Sequence, residues 1–290
     1  MANSITLFKK YIDLLDEVYK VASITSVLDS DASLARQGAN ANEIIIPKIS
    51  MDGLADYSRN SGYVSGDVSL TNETVKFNYD RGRKFSIDAM DNEETAGVAF
   101  GKLASEFVRT KVVPELDAFR FASYAGITGI SKATAATLSA GGDVISALRA
   151  AINKMDEDEV PMENRVLFIT PTLYGMIQDL DTTKSKEVIN RFSATKLVPQ
   201  TRFYTAIDLK DGTTEGEEAG GFAKATAGKD INFMVIHKPA TLQYNKHVVS
   251  KIFSPAENQD ADAWKFSYRA YGLTDAYENK VAGIYLHNKA

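Results

Sequence analysis

The side chains that most often do chemistry in proteins are scarce in this sequence. The chain has three histidines and no cysteine. Histidines that bind a metal are usually spaced with a second ligand, as in H-E-x-x-H, but His237, His247 and His287 have no such neighbours. Without cysteine there is no disulfide, no thiolate nucleophile and no sulfur-ligated metal. We therefore predict no catalytic residue, no cofactor and no metal site, and we interpret the histidines as ordinary strand residues.

One glycine-rich stretch superficially resembles a phosphate-binding loop. In GGFAKATAGKD, residues 220–230, six residues rather than four separate Gly221 from Gly228, and Lys229 precedes Asp230 rather than Ser or Thr. The acidic run at 157–159 lacks the spacing of a calcium-binding loop. These patterns indicate a flexible loop and a solvated turn, and they favour a protein that is not an enzyme. An active site hidden in the middle of the chain remains an alternative.

Two stretches combine aromatic and cationic side chains, around residues 79–85 and 265–271. Such residues can stack on nucleic acid bases, and they are also typical of protein–protein interfaces. The net charge of −5 favours protein contacts, because a general nucleic acid binder needs a basic face. A surface that binds carbohydrate through these aromatic residues is a further alternative. The candidate interface residues are Arg59, Tyr63, Lys76, Tyr79, Arg81, Arg83, Lys265, Arg269, Tyr271 and Glu278.

The composition is that of a globular protein with one large domain or two lobes. The chain has 290 residues, 44% of them hydrophobic and 24% charged. No apolar run approaches the ~20 residues that span a bilayer, so we expect no membrane association. The absence of cysteine suits synthesis in a reducing cytoplasm.

The predicted helices include one of unusual length. Residues 6–20 are amphipathic, and a polar arm follows at 23–42. The spacing of Ala96, Phe100, Leu103 and Phe107 predicts a helix over 92–124 with one apolar stripe, interrupted near Pro114.

The middle of the chain predicts a small α/β lobe. A helix over 141–155 and a buried strand at 166–170 are followed by a helix that begins at Pro171, and a second buried strand spans 233–238. Between them, the Gly- and Glu-rich residues 211–230 are typical of a mobile loop.

The remaining segments predict β structure. A short strand at 43–50 is expected to end at its proline, and residues 50–88 form a long β-excursion with too little hydrophobic mass for its own core. A strand over 241–253 leads to a closing strand pair within 264–287. In the first of these closing strands, Trp264, Phe266 and Tyr268 alternate with polar residues, so we expect them to pack beneath the long helix.

This order of parts, and the closing segment ENQDADAWKFSYRAYGLTDAYENKVAGIYLH above all, resembles the tailed-phage major capsid proteins. The resemblance implies an α+β, Hong Kong 97-like fold. Its parts would be an N-terminal helix, arm and first strand (1–49), an extended β-loop (50–88), a peripheral domain with a long spine helix (89–140), an axial α/β domain (141–238) and a return to the peripheral sheet (239–290).

The resemblance also implies a function. Such a protein would be a major capsid protein whose copies assemble through pentamers and hexamers into an icosahedral shell around double-stranded DNA. Its partners would be copies of itself, a scaffolding protein, a portal and the packaged DNA, which it would enclose without sequence-specific binding. It would reside in the virion after assembly in the host bacterial cytoplasm. The alternative is a shell subunit of an encapsulin-like compartment that encloses a cargo enzyme.

Overall fold

A computed structural model describes residues 23–30, 36–37, 43–94, 98–180 and 183–290. The helix predicted at 6–20 and half of the predicted arm at 23–42 lie outside these ranges. In chain order the helices are α1 (Ala89–Glu94), α2 (Val98–Phe107), α3 (Val113–Gly126), α4 (Gly141–Glu157), α5 (Pro171–Leu180) and α6 (Thr183–Ile189). The strands are β1 (Arg36–Gln37), β2 (Glu43–Met51), β3 (Val68–Lys76), β4 (Tyr79–Asp88), β5 (Ser131–Lys132), β6 (Arg165–Ile169), β7 (Ala194–Leu197), β8 (Ile207–Leu209), β9 (Phe222–Lys224), β10 (Ile231–His237), β11 (Thr241–Phe253), β12 (Ala263–Ala276) and β13 (Ile284–Asn288).

The long helix is present, and it is interrupted where the sequence predicted. A π-helical turn, Val108–Val112, joins α2 to α3, and Pro114 lies in the first turn of α3. Proline has no N–H to donate to the preceding turn, and a wide turn of this type accommodates the lost bond. The hydroxyl of Thr110 donates to the carbonyl oxygen of Glu106 at 2.6 Å. We use the name spine helix for α2, the π-helical turn and α3 together.

The α/β lobe is built on a five-stranded sheet with the strand order β5-β13-β10-β6-β7. Leu167, Phe233 and Val235 face a layer formed by α4, α5 and α6. The neighbouring residues Phe168 and Met234 face α3 on the other side, where Phe168 meets Phe121 edge-on at 5.2 Å. Both sheet faces are therefore covered, which explains why these strands are continuously apolar.

A second sheet, with the order β11-β12-β4, lies beneath the spine helix. All its strands are antiparallel. Phe266 and Tyr268 of β12 are buried against Val108, Val112 and Leu116, and the partly buried Trp264 belongs to the same cluster. The alternation in this strand predicted its inner face correctly.

The closing strands do not form a pair. β12 lies between β11 and β4, whereas β13 joins the α/β lobe between β10 and β5. The turn Glu278–Gly283 carries the chain from one sheet to the other. The expectation of one closing pair was wrong because alternation shows which face of a strand is buried but does not identify the strand beside it.

The extended loop is a two-stranded ribbon of β2 and β3 with a tip at residues 52–67. The register pairs Glu43 with Lys76 and Met51 with Val68. β2 passes through Pro47 and does not end there; among the described residues, β1 pairs only with Ile44 and Ile45, and Pro47 pairs only with Asn72 of β3. Residues 79–88, which we had grouped with this loop, form β4 and pair with β12 instead.

A buried polar joint fixes the segment 23–30 to the spine helix. The fully buried Asp117 carboxylate accepts hydrogen bonds from the hydroxyls of Ser23 (2.9 Å) and Thr25 (2.7 Å), and Arg202 contacts it at 3.1 Å. Arg120 donates to the hydroxyl of Thr25 at 2.9 Å. The hydroxyl hydrogen bonds and the positive charge of Arg202 together offset the cost of burying this carboxylate.

Candidate functional site

The described part of the chain offers no assembled metal centre. Among these residues no group of three or more His, Cys, Asp or Glu side chains is placed to hold a metal ion. His237 and His287 lie in buried strands, and burial lowers the pKa of both imidazoles. His287 stacks on Phe233 at 5.0 Å and hydrogen-bonds Asn232. None of the described helices is long and apolar enough to cross a membrane.

The extended loop carries the most exposed apolar surface in the described residues. Ile49 lies opposite Leu70, and Met51 lies opposite Val68, so the four side chains share one face of the ribbon. Their exposed fractions are 58%, 71%, 63% and 68% in that order. We call these four residues the apolar face. The opposite face of the same stretch carries Ser50 and Ser69.

The tip of the loop is a compact aromatic turn. A bridge between Ser58 and Gly62 closes it, and Gly62 adopts a left-handed conformation with φ of +77°. The rings of Tyr57 and Tyr63 meet edge-on with centroids 4.9 Å apart, although Tyr63 is 90% exposed. Two of the candidate residues, Arg59 and Tyr63, lie in this tip.

The base of the loop is held to its own chain by packing and by charge. Ile44, Ile46 and Val75 pack on β11 and β12. Lys48 forms an ion pair with the exposed candidate Glu278, and their hydrogen bond raises the pKa of the lysine.

Lys76 lies exposed at the end of β3. Burial and the nearby Glu278 carboxylate raise the pKa of Glu73. The base of the loop is therefore fixed within its chain, whereas no described residue packs in this way on the tip or on the apolar face.

The candidates on β4 lie at the spine helix. Tyr79 is 4% exposed and packs on Phe119 at 4.9 Å, so it is a core residue with little surface to offer a neighbour. Arg81 donates to Glu115 at 2.8 Å and to the carbonyl of Gly221 at 3.2 Å. Burial alone would lower the pKa of Arg81, but the bond to Glu115 and its charge outweigh burial and raise that pKa.

Arg83 reaches the loop that joins β8 to β9. Its guanidinium donates to the carbonyl of Glu218 at 2.8 Å. The stretch 211–230 that we predicted to be a mobile loop thus contains β9, which pairs with the preceding β8 in a short hairpin, and two arginines of β4 hold the loop between these strands.

The candidates on β12 are engaged within the chain. Arg269 binds both oxygens of Asp80, at 2.9 and 2.7 Å, and this hydrogen bonding lowers the pKa of Asp80. Lys265 pairs with Asp260. Tyr271 stacks on Phe77 at 4.8 Å.

The ten candidates therefore lie in separate places: at the loop tip, at the loop base, and along β4 and β12. Sequence reasoning missed the apolar face, although its alternation in 49–51 and 68–70 could have indicated it.

A groove lies between the spine helix, β4 and the hairpin of β8 and β9. It has a volume of about 600 Å³. Its apolar lining includes Phe85, Leu103, Phe107, Phe222 and Tyr268. Its charged lining comprises Arg81, Arg83, Lys111 and Lys210 together with Glu106, Glu115 and Asp211. We call it the spine groove.

Comparison with known proteins adds information at the level of structure. No protein-family model and no curated protein sequence matches the chain. Solved structures that share its fold include one from Gordonia phage Cozz, with a TM-score of 0.61 and 13% identity over 92% of this chain and 86% of that chain. The capsid structure of the cyanophage P-SCSP1u matches with a TM-score of 0.55 and 14% identity, over 88% of this chain and 85% of that one.

The chain has the capsid fold of tailed phages. The α+β, Hong Kong 97-like fold class that the resemblance implied is confirmed.

A further solved structure that shares this fold is a virus-like particle. The virus-like particle from Pyrococcus furiosus aligns with a TM-score of 0.60 and 11% identity, over 97% of this chain and 99% of that chain. At such low identities the comparisons establish the capsid fold and do not by themselves establish a function.

Proposed function

We propose that this protein is the subunit of a closed protein shell, a major capsid protein. The observation that carries the proposal is the apolar face of the extended loop. Ile49, Met51, Val68 and Leu70 project from a ribbon on which no other described element forms a second layer over this face. A contiguous exposed apolar patch of this kind marks an interaction site, and the capsid fold makes a neighbouring subunit the natural partner.

The projecting shape of the loop supports a heterologous contact between neighbouring subunits. A ribbon that projects from one subunit onto a different surface of the next makes a heterologous contact, and such contacts close into rings when the rotation permits. Rings of five and six subunits would build an icosahedral shell around double-stranded DNA, with a scaffolding protein and a portal as further partners. The net charge of −5 would limit adhesion of the DNA backbone to the inner wall.

Within this proposal, the candidate interface residues differ in how directly they would contact a neighbouring subunit. Arg59 and Tyr63 lie in the exposed tip, so they would contact a neighbour directly. Lys76, Arg83, Arg269 and Glu278 are exposed and could contribute at the rim, whereas the buried Tyr79 would act only through the core of its own subunit. We assign no catalytic role to any of these residues.

A second candidate is a shell that encloses protein instead of a genome. The fold is shared with a particle described as virus-like, the one from Pyrococcus furiosus, over 97% of this chain and 99% of that chain, so a shell of this fold need not belong to a phage. The two functions differ in their contents. Nuclease-resistant DNA inside particles purified from infected cells would support the capsid, whereas a co-purifying enzyme without DNA would support the compartment.

The function is tested by electron microscopy of the purified protein. We expect closed shells from the unaltered chain, and none from the double variant Ile49→Lys, Leu70→Lys, because two ammonium groups would replace the centre of the apolar face. The matched control is Ser50→Lys, Ser69→Lys, which places the same two charges at directly paired positions on the opposite face of the ribbon. Shells from the first variant, or a monomer at high concentration from the unaltered chain with scaffold present, would refute the proposal.

A further inference from the structure

Strand β11 has an open edge along its second half. Among the described residues its strand partner is β12, and its outer edge meets the segment 23–30 at Gln243, where the N–H of Ser30 donates to the carbonyl oxygen at 3.0 Å. Beyond this point, no described backbone group hydrogen-bonds the outer edge of His247–Phe253. We call this stretch, HVVSKIF, the open edge. Every second residue of such an edge presents an N–H and a carbonyl oxygen to solvent.

One face of the open edge continues the core beneath the spine helix. Val248 and Ile252 lie opposite Ala270 and Phe266 of β12, so they point toward that core, and both are only partly buried. Apolar side chains on an added strand would cover the part of Val248 and Ile252 that remains exposed. A strand added here would therefore bury apolar surface as well as satisfy backbone groups.

The other face of the open edge is cationic. Lys251 lies opposite Ser267 of β12, and Ser267 lies opposite Lys84 of β4, so the three residues form one row across the sheet. Both lysines are exposed, and no carboxylate of the described residues forms an ion pair with either, whereas the neighbouring Arg269 is paired with Asp80. The outward side chains of an added strand would lie beside the Lys251 ammonium, a position that suits carboxylates.

We propose that the open edge binds an extended segment of a partner protein in which acidic and apolar residues alternate. The segment adds a strand to the sheet β11-β12-β4, with its apolar residues toward the spine helix and its carboxylates toward Lys251. Main-chain hydrogen bonds supply the affinity, and the alternating side chains supply the specificity. The inference goes beyond the shell function, because it concerns a surface that an isolated subunit also presents.

Charge favours a different protein over a second copy of this edge. Two copies of β11 paired edge to edge would place two cationic strands side by side, and like charges on neighbouring strands destabilise their pairing. The stretch HVVSKIF contains no acidic residue that could offset this repulsion. An acidic strand removes the repulsion and adds opposite charges across the new pair.

The test measures binding of a model strand to the intact chain. The probe is the peptide EVEVEVE with blocked ends, and KVKVKVK is the control with the same alternation and the opposite charge. We expect EVEVEVE to bind and to slow backbone hydrogen exchange in His247–Phe253. We expect KVKVKVK to bind about fivefold more weakly or less, because its ammonium groups meet Lys251.

Two charge reversals locate the site. Lys251→Glu should weaken binding of EVEVEVE about fivefold and strengthen binding of KVKVKVK, because it inverts the charge of the edge without removing the edge. The matched control Lys196→Glu reverses an exposed lysine on β7, the edge strand of the α/β sheet, and should change neither affinity.

Three outcomes would overturn the inference. Failure of EVEVEVE to bind, or equal binding to the Lys251→Glu variant, would show that the open edge is not a site for an acidic strand. Edge amides that are protected in assembled particles without peptide, but exchange freely in dissociated subunits, would show that a second copy of the chain occupies the edge. None of these results bears on whether closed shells form, which electron microscopy decides separately.

Discussion

At the scale of single residues, the buried carboxylate of Asp117 depends on its partners, because a buried charge is costly without hydrogen-bond donors and a counterion. It lies in α3 and gathers donors from the segment 23–30 and from Arg202. These partners come from two parts of the sequence, both distant from Asp117 along the chain. The joint therefore has a structural role, which is to fix the start of the described chain against the spine helix.

We expect Asp117→Asn to destabilise the isolated subunit by about 3 kcal/mol, because it leaves Arg202 without its counterion and places an amide donor among other donors. Urea unfolding of the subunit measures this loss. The control is Glu106→Gln, which breaks the exposed ion pair with Arg109 at a cost within about 0.5 kcal/mol. Equal stability of the two variants would show that the joint contributes nothing beyond a surface pair.

At the scale of elements, the spine helix packs on β12, the central strand of the sheet β11-β12-β4. Phe266 is completely buried, and its ring lies 6.1 Å from that of Phe107 on the helix and 6.4 Å from that of Phe85 on β4. The packing of these three rings positions the helix over the sheet, and two of them, Phe85 and Phe107, also line the spine groove.

We expect Phe266→Ala to cost about 3–5 kcal/mol of unfolding free energy, since it removes a whole ring from a packed core. The neighbouring change Ser267→Ala lies on the other face of β12 and should be nearly neutral. Thermal or urea unfolding of the two variants compares them directly. A small loss for Phe266→Ala would mean that the spine helix does not depend on this strand for its position.

At the scale of the whole molecule, the packed cores and the exposed tip of the extended loop are different parts of the protein. The cores lie between the α/β sheet and its helices, beneath the spine helix, and at the base of the extended loop. The tip of the loop belongs to none of them. Residues that govern assembly should therefore be separable from those that govern folding.

Replacing residues 53–66 by Asn-Gly tests this separation. The backbone N–H of Asp52 donates to the carbonyl of Asp67 at 3.1 Å, so a two-residue hairpin turn can join these strands. We expect the unfolding free energy to change by no more than about 0.5 kcal/mol, because no core contact is lost. Light scattering should show that shells no longer form.

The control for this change is a Gly/Ser segment of the native length in place of 53–66. It keeps the reach of the loop but removes its aromatic side chains, so it should also fail to assemble. Normal shells from either variant would show that the tip is dispensable.

The sequence by itself determined the local features of this protein. Periodicity and proline predicted the spine helix and its interruption near Pro114, and continuous apolar runs predicted β6 and β10. Alternation in β12 identified the face that lies beneath the helix. These properties depend on residues close together in the chain, and each leaves a pattern of matching period.

Only the tertiary structure decided which distant segments became neighbours. In the structure, β12 and β13 belong to different sheets, and residues 79–88 pair with β12 instead of forming part of the extended loop. Arg81 and Arg83 contact the loop that joins β8 to β9. The structure also shows that Tyr79 is buried while Ile49 and Leu70 are exposed. The physical reason is that alternation specifies which face of a strand is apolar, whereas the element that covers that face is selected by packing across the whole chain.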